Sequence, residues 1–268
     1  SIEKIHVSLR RATQSSTSRA TPEFGFIRSF DMFGQTSLIR RRKRAIDRLR
    51  GHAYLLRAIQ TPGFVYVDTG ATELPVQVDS TKLDEAKRSA LQNIWRTRPM
   101  FALQGPPGTG KTTLVANLLG QIFEDDPVAQ VLVSAQAHVA VDVLKDKVSK
   151  EIFADRPESE KPLAVRLPRP GSDAQSDEDY LEPVTQRLLA NSETSILDGQ
   201  DPNAIQEKWL DVIRNMRSAL VRRDPSGDAR DFCELVKRST NITYSTTTGG
   251  NLAELADSTQ SFDWSLIE

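Results

Sequence analysis

The sequence predicts an α/β fold in which a parallel sheet carries helices on both faces. Short apolar runs, typical of buried strands, alternate with segments whose apolar residues recur at helical spacing. A glycine-rich segment connects one predicted strand directly to one predicted helix. The chain has 268 residues, 38% hydrophobic and 26% charged, which suits one large domain or two smaller ones with a proper core.

The composition also excludes some classes of protein. No apolar run approaches the roughly 20 residues that a membrane-spanning helix needs, and the first residues do not resemble a signal peptide. Cys233 is the only cysteine, which excludes an internal disulfide and a cysteine-based zinc site. We therefore expect an intracellular protein, cytoplasmic with a nuclear location left open, and no membrane contact. Because the chain starts without Met, we expect it to be part of a longer protein.

Charge is unevenly distributed along the chain. Residues 1–60 hold 13 Lys and Arg against 4 Asp and Glu, whereas the remainder holds 22 against 32. The run of five basic residues at 40–44 is the densest part. It is either a phosphate-contacting patch, a localisation signal or, as we favour, a solvated basic helix end.

The elements before the glycine-rich segment follow from periodicity. Apolar residues at helical spacing predict helices, and alternation of apolar and polar side chains predicts strands. The predicted elements are one or two helices over 37–60, short strands at 64–67 and 74–78, a helix over 83–95 capped by 79–81, and a buried strand at 99–104.

The segment from Gly105 to Thr112 matches G-x-x-x-x-G-K-[ST], the Walker A or P-loop motif. Its glycines let backbone N–H groups point at phosphate oxygens, Lys111 reaches the β- and γ-phosphates, and the Thr112 hydroxyl is placed to bind Mg²⁺. The alternative is a surface turn that carries a lysine, which the strand before and the helix after make less attractive. The predicted nucleotide-binding residues here are Gly105, Pro106, Pro107, Gly108, Thr109, Gly110, Lys111, Thr112 and Thr113.

Beyond the loop helix, strands and helices continue to alternate. The predicted elements are a strand at 130–135, a helix from 139, a strand at 162–167, an acidic loop at 168–179, a helix opened by Asp201 and Pro202, a helix around 232–236, and strands at 241–246 and 262–268. In the helix after Pro202, an apolar stripe is predicted to pack in the core or between domains; it comprises Ile205, Trp209, Val212, Ile213, Met216 and Leu220. Ligands bind at the carboxyl ends of such strands, where the loop, 134–138, 246–250 and Glu268 all fall.

These motifs resemble the first RecA-like domain of a superfamily 1 helicase. The similarity is strongest to the 5′-to-3′ branch that includes the nonsense-mediated-decay RNA helicase and senataxin. Residues 105–112 resemble motif I, 131–144 motif Ia, 245–250 motif Ic, and 262–268 the strand leading into motif II. The resemblance implies an N-terminal segment over 1–36, stalk helices and short strands over 37–80, a RecA-like domain over 81–150 and 239–268, and a strand with a helical insertion over 151–238.

The resemblance also implies residue roles. It implies that Lys111 and Glu268 are catalytic residues and that Thr112 and Glu268 bind Mg²⁺. The alternative for Glu268 is that it is merely the last residue of the chain. Predicted contacts to the sugar-phosphate backbone of a single strand are Ala135, Gln136, Ala137, His138, Thr246, Thr247, Thr248 and Gly249. Ordinary strand-end loops are the alternative. We treat His138 as a loop residue, because no Cys or second His lies near it in sequence.

The sequence departs from the family pattern at three points. Lys87 stands at the position of the glutamine that reads adenine, which puts strict ATP preference in doubt. Gln136 replaces the usual proline of motif Ia. The sequence stops within motif II, so the second acid and the second RecA-like domain are missing, and we expect this segment to bind nucleotide weakly without turning it over.

The expected function is an ATP-dependent helicase or translocase on single-stranded DNA or RNA, with ATP and Mg²⁺ as cofactors. The residues alone indicate only a P-loop NTPase with a parallel sheet and a basic flank. Two alternatives stay open. One is an NTPase switch that acts on a protein partner, and the other is a binding module whose P-loop has no catalytic role. Protein partners are not predicted.

Overall fold

Six strands and eight α-helices occur in the part of the chain that the computed structural model describes, which is residues 32–67, 74, 83–168, 178–198, 201–222, 227–247 and 261–268. The helices are α1 Met32–Gly51, α2 Ala53–Gln60, α3 Glu85–Arg96, α4 Lys111–Asp125, α5 His138–Lys147, α6 Leu181–Leu197, α7 Ala204–Val221 and α8 Asp228–Arg238. The strands are β1 Tyr66–Val67, β2 Thr97–Arg98, β3 Val131–Ala135, β4 Ala164–Arg166, β5 Ile242–Thr246 and β6 Trp264–Ile267. The chain divides into two compact units, and the boundary between them lies between Phe64 and Val65.

The first unit contains two helices where the sequence predicts one or two. Phe64 is half-buried, and its ring centroid lies 4.9 Å from that of Tyr54 and 4.6 Å from the Arg57 guanidinium carbon. Ile46 of α1 is 53% exposed. Within this unit the described side chains of the basic run are all exposed.

A four-stranded parallel sheet organises the second unit. The strand order is β4-β5-β3-β6, and β3 pairs with both β5 and β6. This sheet, flanked by helices, confirms the predicted α/β fold. Parallel strands end at the same edge of a sheet, so Ala135, Arg166, Thr246 and Ile267 all lie along one edge.

The core of the second unit lies between the sheet and the helices that follow the P-loop and β3. Val131, Val133 and Ala135 of β3 are each at most 1% exposed, as expected for a central strand that is buried on both faces. Leu119 of α4 and Leu144 of α5 are buried in the same cluster. This packing gives α4 a rigid position relative to the edge where β3 ends.

Helices α6, α7 and α8 pack together around a second cluster that includes Leu189, Ile213, Leu220 and Cys233. The prediction for α7 is wrong in two respects. Its N-cap is Asn203, which forms a capping box with Gln206, and not Asp201. In addition, Ile205 and Trp209 are 71% and 60% exposed, so core packing is wrong for these two residues, and packing between domains stays a prediction. Periodicity identifies apolar residues along a helix, but the packing of α6 and α8 decides which of them are buried.

The predicted buried strand at 99–104 is also wrong. These residues form no strand, and Phe101 and Leu103 are each 38% exposed. An apolar run predicts burial, but a strand also needs a partner for its backbone hydrogen bonds, and no described strand pairs with this segment. The loop is therefore entered from irregular backbone that follows β2.

Candidate functional site

The P-loop connects the irregular segment to α4 through two glycines in a conformation that favours glycine. Gly108 and Gly110 both have φ of +81°, and Gly110 is the N-cap of α4. The Thr109 hydroxyl donates a hydrogen bond of 2.8 Å to the carbonyl oxygen of Pro106, which closes the loop on itself. These features leave the first turn of α4 facing the loop, where the positive end of the helix dipole favours an anion.

Lys111 is the first residue of α4 and extends back along the loop. Its Nζ donates to the carbonyl oxygens of Gly105 and Pro106 at 2.8 and 3.0 Å. The ammonium group is therefore held over the loop, which is the position that the Walker A motif requires of it. Gly105 is closely packed as well, because a Cβ there would lie 2.9 Å from Thr109 Oγ1.

A cavity of about 500 Å³ lies between the loop and α3. Lys87 and Asp84 line it on the α3 side, and residues 103–106 and 108–111 line it on the loop side. Lys87 Nζ donates to Asp84 Oδ2 at 2.5 Å, and Asp84 Oδ1 accepts the Lys87 backbone N–H at 2.9 Å. Asp84 is thus the N-cap of α3, a role that sequence reasoning gave to 79–81, which lie outside the described residues. The hydrogen bonds from Lys87 hold the pKa of Asp84 below its usual value.

Thr112 and Glu268 meet although they are 156 positions apart. The Thr112 hydroxyl donates to Glu268 Oε1 at 2.7 Å. Hard cations such as Mg²⁺ prefer oxygen ligands and are often held by only one or two protein groups plus phosphates. One hydroxyl and one carboxylate beside a phosphate-binding loop fit that ion.

The predicted single-strand contacts lie at the neighbouring strand ends. The Thr247 N–H donates to the carbonyl oxygen of Ala135 at 2.9 Å, and the Glu268 N–H donates to that of Ser134 at 2.8 Å. Gln136, Ala137 and Thr247 are exposed, whereas the side chains of Ala135 and Thr246 are buried. The structure thus brings these positions and Glu268 to one edge; Thr248 and Gly249 lie outside the described residues.

Sequence reasoning missed a buried cation at the same edge. Arg166, the last residue of β4, is 1% exposed. Its Nε donates to Asp142 Oδ1 at 2.6 Å, and its Nη2 lies 3.3 Å from His138 Nδ1. An arginine inside an otherwise apolar strand is the signal that could have revealed it, because a buried guanidinium needs partners.

The described residues do not support a cluster-type metal centre, a membrane-spanning helix or a reactive cysteine. Among the residues that the structure describes, no group of three or more His, Cys, Asp or Glu side chains is placed to hold a metal ion. None of the helices formed by these residues has the length and hydropathy to span a bilayer. Burial raises the pKa of the Cys233 thiol and so disfavours a nucleophilic thiolate.

The fold and the loop together define a P-loop nucleotide-binding domain. Residues 82–220, more than half of the chain, match the model of the AAA_11 family, described as an AAA domain. The chain therefore belongs to the AAA_11 family, and nucleotide binding is the property that this membership implies.

Two curated relatives match part of the chain. The "Regulator of nonsense transcripts 1" of Caenorhabditis elegans is 35% identical over 80 residues, which are 29% of this chain and 7% of that protein. The "Putative ATP-dependent RNA helicase ECM32" of Saccharomyces cerevisiae is 28% identical over 83 residues, 31% of this chain and 7% of the relative. The predicted resemblance to the superfamily 1 helicases is thereby confirmed, and the match covers a small part of each relative.

Proposed function

We propose that the chain is the nucleotide-binding portion of an ATP-dependent helicase or translocase that acts on single-stranded DNA or RNA. One observation carries this proposal. The P-loop helix contacts Glu268 through Thr112, and Glu268 and the exposed residues 136, 137 and 247 follow the C-terminal ends of three strands of the sheet. Because β6, which leads to Glu268, pairs with β3, the proposed Mg²⁺ ligand and the proposed single-strand contacts follow neighbouring strands.

In this proposal the P-loop and the residues beside it bind the nucleotide. The backbone N–H groups of the loop and the first turn of α4 bind the phosphates. Lys111 exchanges its carbonyl contacts for phosphate oxygens, which carry more negative charge. Thr112 and Glu268 hold Mg²⁺, which neutralises phosphate charge when bound. Lys87 and Asp84 line the cavity on the α3 side.

The single strand, in this proposal, binds at the edge of the sheet beside the nucleotide. Gln136, Ala137 and Thr247 expose polar and backbone groups there, and His138 opens α5 directly after them. Contacts of this kind bind sugar and phosphate without reading bases, as a motor that moves along any sequence requires. The names of the relatives, one of which is a putative RNA helicase, support this assignment.

ATP turnover in the full natural protein tests the proposal. It is measured with no polymer, with single-stranded DNA and with single-stranded RNA, at one salt concentration, because phosphate contacts weaken steeply as salt rises. Stimulation by one polymer that is lost in Lys111→Ala supports the motor and identifies its polymer. Turnover that neither polymer changes favours instead the switch that acts on a protein partner.

A further inference from the structure

Arg166 makes three hydrogen bonds although it is almost completely buried. Its guanidinium donates from Nε to Asp142 Oδ1 at 2.6 Å, from Nη1 to the Leu167 carbonyl oxygen at 3.2 Å, and from Nη2 towards His138 Nδ1 at 3.3 Å. A buried cation is costly unless its partners satisfy it. The Asp142 carboxylate supplies an opposite charge, so the His138 contact, made to a neutral ring, is additional to that ion pair.

Both side-chain partners belong to the first turns of α5. His138 is the first residue of the helix and Asp142 lies four positions later, so the two share one face. The N-cap residue Ala137 has no side chain that caps the helix. Arg166 therefore restrains the start of α5 from a different element, the end of β4.

The contact with Arg166 also decides the tautomer of His138. A guanidinium has donors and no acceptor, so Nδ1 of a neutral imidazole must accept this hydrogen bond. The ring proton then resides on Nε2, on the side of the ring away from the arginine. In this tautomer His138 is a hydrogen-bond donor at Nε2.

We propose that Arg166 is a positioning residue, which holds the His138 imidazole at the strand edge so that Nε2–H donates to the sugar-phosphate backbone of a single strand. The inference rests on the proposed function and extends it, because it names the group that orients one contact. A purely structural role for Arg166 requires Asp142 but gives no reason for a third bond to His138, which directly follows the exposed residues Gln136 and Ala137.

Binding of a fluorescein-labelled oligothymidylate and a labelled oligouridylate, followed by anisotropy, tests the inference. Arg166→Gln and His138→Ala are each expected to weaken binding about tenfold, since a hydrogen bond to phosphate is lost. The double variant is expected to lose no more than either single variant, because both changes remove one interaction. Arg166→Lys is expected not to restore binding, since one ammonium does not reproduce the guanidinium fork. Affinity for a fluorescent ADP analogue is expected to stay unchanged.

Arg187→Gln is the matched control. Arg187 is exposed on α6 and the substitution removes the same charge, so a loss of equal size there would overturn the inference. Losses of Arg166→Gln and His138→Ala that multiply to about a hundredfold would also overturn it.

A spectroscopic test covers the case in which Arg166→Gln fails to fold. The chain has three histidines, so a long-range ¹H–¹⁵N spectrum of the wild-type chain resolves each ring. His138 is expected as the Nε2–H tautomer, with an Nε2 signal that shifts when oligonucleotide is added. The opposite tautomer, or a signal that the strand leaves unchanged, overturns the inference. If the wild-type chain binds neither oligonucleotide, both the proposed function and the inference fail. If it binds an oligonucleotide and His138→Ala does not weaken that binding, only the inference fails.

Discussion

The hydrogen bond of 2.7 Å from the Thr112 hydroxyl to Glu268 Oε1 joins the first turn of α4 to the residue that follows β6. Both groups are anchored by backbone structure, since Thr112 lies in α4 and the Glu268 N–H donates to Ser134 of β3. Two oxygen groups are thus held at one point beside the loop before any ligand arrives. Pre-organisation of this kind reduces the free-energy cost of ordering these side chains when a ligand binds.

Thr112→Val is expected to reduce the Mg²⁺-dependent part of ATP affinity by roughly tenfold, because one oxygen ligand is lost. Titration of a fluorescent ATP analogue, with Mg²⁺ and then with EDTA, measures that part separately. Thr112→Ser keeps the hydroxyl and is the control that should retain wild-type behaviour. Equal Mg²⁺ enhancement in the Val and Ser variants would show that Thr112 is not a ligand.

Lys111→Ala is expected to weaken nucleotide binding roughly 10- to 100-fold, the range of a charge-assisted hydrogen bond. Its contacts with the Gly105 and Pro106 carbonyl groups are partly open to water, so the melting temperature should change little. Lys150→Ala removes an equal charge from an exposed lysine that pairs with Asp146 and serves as the control. Calorimetry that gives equal affinities for both variants would contradict the assignment of Lys111.

Patterns within short stretches of sequence predicted β3 and the P-loop correctly, because a short apolar run, four of whose five residues are buried in β3, and the spacing of the Walker motif are local properties. Features set by packing between distant segments escaped prediction. The rotation of α7 depends on α6 and α8, so the exposure of Trp209 was not foreseen. The partners of Arg166 lie 24 and 28 positions away and become visible only when β4 and α5 are placed together.

Gly110 and Gly108 share the same φ but not the same surroundings. A Cβ on Gly108 would meet nothing within 4 Å, whereas one on Gly110 would lie 2.9 Å from Lys87 Cε. Gly108→Ala should therefore cost about 1–2 kcal/mol from backbone strain alone. Gly110→Ala should cost more in urea unfolding, and adding Lys87→Ala should reduce its cost to that of Gly108→Ala. A double variant as unstable as Gly110→Ala would show that the contact with Lys87 is unimportant.

We predict that Lys87 influences the choice of nucleobase. An ammonium group donates hydrogen bonds and accepts none, whereas a glutamine amide does both. If residue 87 contacts the base, the wild-type chain should bind ATP and GTP with affinities that differ by less than about tenfold, and Lys87→Gln should increase the preference for ATP. Competition between the two nucleotides for a fluorescent analogue measures this ratio. An unchanged ratio in Lys87→Gln would remove residue 87 from base recognition.

Asp84 should make the stability of the chain sensitive to acid. Because the hydrogen bonds from Lys87 lower its pKa in the folded chain, its stabilising effect is complete above the pKa of the unfolded chain and is lost as the pH falls through the folded value. Asp84→Asn keeps an N-cap side chain but does not titrate. The free energy of unfolding in urea, measured from neutral pH down to about pH 3, should therefore fall more steeply in the wild type than in Asp84→Asn. Parallel curves would mean that the ion pair with Lys87 contributes nothing, and that the cap acts through its uncharged hydrogen bond alone.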